Sequence, residues 1–203
     1  MTARSRTLAN RHARLLASLT LALAVGCGAA PTEHIPVIPP TTTTAAPAPA
    51  TLPTTVDIPA LGVHATHLEP LGLDKNGAIE TPPLNQPQTL GYYTSGGAPC
   101  VPGPQQIPFA LIGHIDGRGQ QGVLYLLKNL KAGDTVTIGL DNGRSCTYRI
   151  SKLAEYRKDQ FPTQDIWGPV PLSSIRIVSC GGPYIGPPSY YRDNIVASGS
   201  LLT

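Results

Sequence analysis

Polar and apolar residues alternate with a period of two through "DTVTIGL" and "SCTYRIS", on either side of "DNGR". That period is the side-chain period of a half-buried strand, and Asn-Gly between two such runs is the turn chemistry of a hairpin. "PFALIGH" and "SIRIVSC" are short continuous apolar runs instead, the pattern of buried strands. "RDNIVASG" alternates again and reads as a closing strand, with Arg192, Asn194 and Val196 on one face and Ile195 and Ala197 on the other. Only "VLYLLKNLKAGD" and "FPTQDIWG" read as helical, both short, the first expected to stop at Gly133. Many short strands with frequent Gly and Pro predict a mostly β domain over 56–203, a small closed β-barrel with short helices between strands.

The chain before that domain has a different character. Arg4, Arg6, Arg11 and Arg14 precede the apolar run Leu15–Val25, which ends at Gly26 and Cys27. A basic region, a short apolar region and a small-residue site form the order of a secretory signal peptide, and the run is too short for a spanning helix of about 20 residues. Residues 1–27 are therefore read as an export signal. "AVGC" resembles the lipobox of bacterial lipoproteins, which would make Cys27 a lipidation site. Ala24 stands where leucine is usual, so ordinary cleavage and a retained signal anchor stay open. Residues 28–55 are dominated by Pro, Thr and Ala and cannot bury a core. They read as an extended spacer that could hold a domain up to roughly 75 Å from its anchor.

Charge changes little once this is seen. The formal charge is +3, but four of the 15 Lys and Arg precede Cys27, so removal of that segment leaves about −1. The basicity belongs to targeting, and no nucleic-acid footprint is present.

The chain has four cysteines. Export favours pairing, and if Cys27 carries lipid or is cleaved away, three remain. Cys100, in the loop "GGAPCVPGP", and Cys146, in a hairpin strand, are expected to form a disulfide, leaving Cys180 as a free thiol at the end of an apolar strand. A thiolate becomes a nucleophile only with a proton-transfer partner nearby. Among the histidines, His114 also ends an apolar strand, in "FALIGHIDG", whereas His64 and His67 lie in a polar stretch. Neither His64 with His67 nor the scattered cysteines make a metal ligand set, and no cofactor is expected. Arg192 is the one basic residue after Cys180. It is a candidate for the charge that an oxyanion requires.

In order along 56–203, "IPALGVHATHLEPLGLDKNGAIETPP", "LGYYTSGGAP", "LIGHIDG" with "LKAGDTVTI", "RIVSCGG" and "YYRDNIVA" resemble the sortases, and among them the actinobacterial class F type. The resemblance implies an eight-stranded barrel and an extracytoplasmic cysteine transpeptidase. Such an enzyme cleaves the C-terminal sorting signal of a secreted protein through a thioacyl intermediate. It passes that intermediate to an amine from a peptidoglycan precursor or another surface protein, working beside the membrane through its N-terminal anchor. By position, Cys180 would be the nucleophile, His114 the acid and base, and Arg192 the group holding the substrate carbonyl or oxyanion. Ser179 stands where many sortases have threonine and would help to bind substrate. "LGYY" and the cysteine within "SGGAPCVPGPQQ" depart from the family pattern, both outside the Cys–His–Arg set. A peptidase that hydrolyses the signal, or an idle sortase fold used as a scaffold or adhesion module, are the alternatives. Papain-like order, the caspase Gln-Ala-Cys signature and the Ser-His-Gly-Cys cluster of L,D-transpeptidases are all missing.

Overall fold

A computed structural model describes residues 51–187 and 190–202. The signal region, Cys27 and nearly all of the Pro/Thr-rich spacer lie outside the described residues. No helix among the described residues is long and apolar enough to cross a membrane.

The strands are β1 (Pro53–Ile58), β2 (Val63–Ala65), β3 (Leu68–Leu71), β4 (Leu90–Tyr93), β5 (Phe109–Gly113), β6 (Asp116–Gly117), β7 (Gln120–Gln121), β8 (Thr135–Leu140), β9 (Ser145–Arg157), β10 (Ser174–Gly186) and β11 (Tyr190–Leu201). One α-helix, α1 (Thr163–Trp167), lies between β9 and β10. Nine strands make one sheet in the order β2-β1-β8-β9-β11-β10-β5-β4-β3, and β6 with β7 makes a separate ribbon. The large sheet curls into a nearly closed barrel, with β1 approaching β3. It has nine strands where eight were expected. Pairing is antiparallel except for β10 with β5 and β3 with β4.

The β8–β9 hairpin follows from its alternation. Val136, Ile138, Leu140, Tyr148 and Ile150 point into the core, and the turn closes through Gly143 at φ +79°. β5 is buried along its whole length, as a continuous apolar run requires when the strand is covered on both faces. The segment "VLYLLKNLKAGD" departs from the helix its leucines suggested. Leu124, Leu127 and Leu130 are the buried residues, a spacing of three, and the amides of Tyr125, Leu127, Asn129 and Leu130 each bond the carbonyl three residues back. Only one 3₁₀ turn, Leu127–Asn129, results, because a period of three matches that helix and not the 3.6-residue α-helix.

At one flank the Cys100–Cys146 disulfide joins the loop after β4 to the start of β9, with Cα atoms 5.4 Å apart. The Cys100 amide also donates to Tyr148 Oη at 3.0 Å, and Tyr148 is fully buried.

Candidate active site

A groove of about 1080 Å³ opens along one face of the barrel, and its lining includes Ile112, His114, Lys158, Val178, Cys180 and Asn194. The sheet register explains why these side chains meet. β5 and β10 run parallel with Ile112 beside Val178. Two residues further along each strand direction stand His114 and Cys180, on the same face by the two-residue period. From the other side, β11 pairs with β10 so that Asn194 lies opposite Cys180, and β9 sets Tyr156 opposite Asn194. A row thus crosses four neighbouring strands: His114, Cys180, Asn194, Tyr156.

Cys180 is a half-buried free thiol. Lys158, two residues past Tyr156 and just beyond the end of β9, directs its ammonium at the sulfur, with Nζ 3.6 Å from Sγ. The His114 ring is fixed by Nε2, 2.6 Å from the carbonyl oxygen of Pro82. A carbonyl can only accept, so Nε2 carries the hydrogen and Nδ1 is the nitrogen left for proton transfer. The Ser179 hydroxyl lies beside the groove, buried and without a hydrogen-bond partner among the described residues. Buried polar atoms in folded proteins are nearly always paired, so this hydroxyl is an exception.

Arg192 is not brought into the groove. Alternation places it one pleat beyond Asn194, but its Nε and Nη2 donate to the two carboxylate oxygens of Asp193 at 2.7 and 2.6 Å. The pair sits in a cluster with Glu155. The Arg192 hydrogen bonds hold the Asp193 carboxyl below its ordinary range. Burial first, then a hydrogen bond with Asp193 and repulsion from it, push Glu155 up. Gly182 makes room for this cluster. Its φ is +70°, and a Cβ there would overlap the Asp193 carboxylate. In this arrangement the adjacent buried acid holds the Arg192 guanidinium, whose side chain is half-exposed at the rim of the cluster.

The groove's outer walls are apolar and aromatic. Leu73, Leu84, Tyr184 and Tyr190 are exposed there, and Tyr184 stacks edge-on against Tyr191 at 5.5 Å. Tyr191 donates its hydroxyl to Asp116, joining the β10–β11 tip to the ribbon that follows His114. That bond, with burial and the negative charge of Asp116, raises the Tyr191 phenol to about 12.

A model of the sortase domain matches residues 56–202. The chain belongs to the sortase family. Sortase C1 of Streptococcus agalactiae is similar in fold, with TM-score 0.53 and 18% identity over 74% of this chain and 67% of that one. So are sortase C-1 of Actinomyces oris (0.51, 17%, 73% of each chain) and a lid mutant of sortase A from Corynebacterium diphtheriae (0.52, 17%, 73% and 69%). No curated protein matches the chain. Family and fold together make this sortase a transpeptidase of the cysteine type, a class that works on sorting-signal proteins and amines at the cell envelope, outside the cytoplasm.

Neither Lys158 nor Asn194 was singled out from the sequence as a groove residue. Asn194 was visible on the Arg192 face of the last strand. Lys158, in "YRKDQ", carries no sequence signal, because only the pairing of β9 with β11 and β11 with β10 brings it to Cys180.

Proposed function

We propose that this protein is a class F-type sortase that attaches secreted proteins to the cell envelope, with Cys180 as nucleophile and His114 as its acid and base. The observation that carries this reading is the ladder register that sets Ile112 beside Val178, and so His114 near Cys180, at the floor of one groove. In the reaction, His114 takes the Cys180 thiol proton on Nδ1 and becomes an imidazolium, the sulfur forms a bond to the scissile carbonyl carbon of the sorting signal, and the carbonyl π pair moves onto oxygen. Collapse breaks the C–N bond, and the imidazolium of His114 gives its proton to the departing amine. The resulting thioester is attacked by an amine from a peptidoglycan precursor or surface protein. His114 takes the proton of that amine, and the sulfur leaves. The orphan Ser179 hydroxyl would donate to the bound peptide, and the exposed Leu73, Leu84 and Tyr184 would cover its apolar side chains.

The test is incubation of the protein with a library of sorting-signal peptides and an excess of amine, read by mass spectrometry, with Cys180→Ala as control. A ligated product that disappears in the control is expected. Hydrolysed peptide without ligation would make the enzyme a peptidase, and product of either kind from the control would remove Cys180 from the chemistry.

We further infer a tether: lipid on Cys27 or the retained hydrophobic segment, followed by the Pro/Thr-rich spacer. Cys27→Ala should shift the protein to an unprocessed form of higher mass in cell fractions. Unchanged mass and location in the variant would rule out lipid on Cys27.

A further inference from the structure

The sheet face that carries Cys180 holds a second recess. Four residues back along β10 stands Arg176, on the same face as Cys180 by the two-residue period and about 13 Å from it. The register places Ala110, Arg176, Ser198 and Lys152 in a row across β5, β10, β11 and β9, parallel to the row that contains His114 and Cys180. Arg176, Ser198 and Lys152 line a cavity of about 440 Å³, together with Ser200 and with Asp165 and Ile166 of α1. That helix is shared by the two spaces, since its Thr163 and Trp167 line the catalytic groove.

Arg176 is 8% exposed, yet among the described residues no acid is paired with it. Its Nε donates to the Ile166 carbonyl at 3.2 Å and its Nη1 to the Ile175 carbonyl at 3.1 Å. Those bonds fix the plane of the guanidinium without supplying a counter-charge, and Nη2 has no hydrogen-bond partner among the described residues. A buried charge without a counter-ion is costly. The side-chain hydroxyls of Ser198 and Ser200 are likewise without a partner among the described residues. We propose that this cavity binds a phosphate-type oxyanion, taken by Arg176 through Nη2 and by the hydroxyls of Ser198 and Ser200. A guanidinium whose plane is already set loses little freedom on meeting a charged acceptor, and hydroxyls can donate to the remaining oxygens. Lys152 adds a second positive charge, its ammonium 5.9 Å from the Tyr156 ring centre. Asp165 is the one acid of the lining, so two cations face one carboxylate. That balance suits a single phosphate group and not a chain of them.

The test is titration of the full chain with inorganic phosphate against chloride at equal ionic strength, read as the melting temperature and as the proton–nitrogen resonances of the arginine side chains. Phosphate should raise the melting temperature saturably and shift the guanidinium resonance of Arg176, which Arg176→Lys assigns by its disappearance. Arg176→Gln should abolish the response. Because that residue also ties α1 to β10, two exposed positions give an independent reading. Asp165→Asn should tighten phosphate about threefold by removing one repelling charge, and Lys152→Gln should weaken it by a similar factor. Vesicles of phosphatidic acid in phosphatidylcholine then separate two sources of the group. Co-sedimentation that strengthens in Asp165→Asn and weakens in Lys152→Gln identifies a lipid headgroup, whereas a response to phosphate without co-sedimentation identifies a soluble phosphate ester; either supports the site. Absence of a saturable response to phosphate, or one that leaves the Arg176 resonance and the affinities of both exposed variants unmoved, overturns it.

Discussion

The two ends of β10's neighbourhood hold cysteines in opposite conditions. At the disulfide flank, Cys146 is bonded to Cys100, the Cys100 amide has Tyr148 Oη, and that hydroxyl lies 3.4 Å from Ser173 Oγ. In the groove, Cys180 is free, Ser179 Oγ is buried without a hydrogen-bond partner among the described residues, and an ammonium faces the sulfur. The first region has met its polar needs internally and so resists change. The second keeps a buried hydroxyl unpaired among the described residues and a thiol unbonded, which costs stability.

The sharpest way to break this comparison is to remove the proton carrier. His114→Ala should lower the ligation rate by about a hundredfold or more, because both the departing and the incoming amine need a proton moved. Thermal unfolding should change little by comparison, since the ring's one hydrogen bond among the described residues, to Pro82, lies at the groove. A variant that keeps near-normal turnover would take His114 out of the mechanism.

The disulfide flank should answer in the opposite currency. Replacing Cys100 and Cys146 together by serine reopens a loop with a sequence separation of 46. The chain-entropy model then gives a loss of about 4 kcal/mol in unfolding free energy. The ligation rate of the protein that remains folded should hold, as measured below its lowered midpoint. If activity falls and stability does not, the two regions are coupled and the contrast between them is false.

The smallest effect concerns pH. Glu155 is raised above its ordinary 4.5, so the fold favours its neutral form. Its contribution is present below 4.5 and is lost as pH rises through the raised value. Asp193 has the reverse sign: lowered beneath 3.8, it adds stability above that value and loses it as pH falls further. Glu155→Gln, which stays neutral and can keep the hydrogen bond to Asp193, should therefore be slightly more stable than wild type at pH 7 and equal to it below 4.5. The gain should stay under about 1 kcal/mol after solvent screening, read as the melting temperature against pH. A variant less stable at pH 7 would mean that the ionised pair is held together by Arg192 and not strained by its own repulsion.

Much of this architecture was readable from periodicity. The β8–β9 hairpin, the buried β5 and the alternating β11 follow from spacing alone, because side chains on a strand have only two directions to take. Leu124, Leu127 and Leu130 misled for a physical reason, since a three-residue spacing serves a 3₁₀ turn as well as part of a helix. At the site, Cys180 and His114 were visible as reactive residue types ending apolar runs, although β10 continues past Cys180 to Gly186 instead of stopping there. Lys158 was not visible, because its approach to Cys180 depends on the pairing of β9 with β11 and of β11 with β10.

The parallel pairing of β5 with β10 has a wider consequence. The spacing between imidazole and thiol is set by backbone hydrogen bonds of the barrel, while Leu73 and Leu84, which border the groove, lie outside the strands of that frame. Insertions or substitutions at those borders can alter which peptides are accepted without disturbing the reacting pair, so a lineage carrying this scaffold can acquire new clients while keeping one reaction.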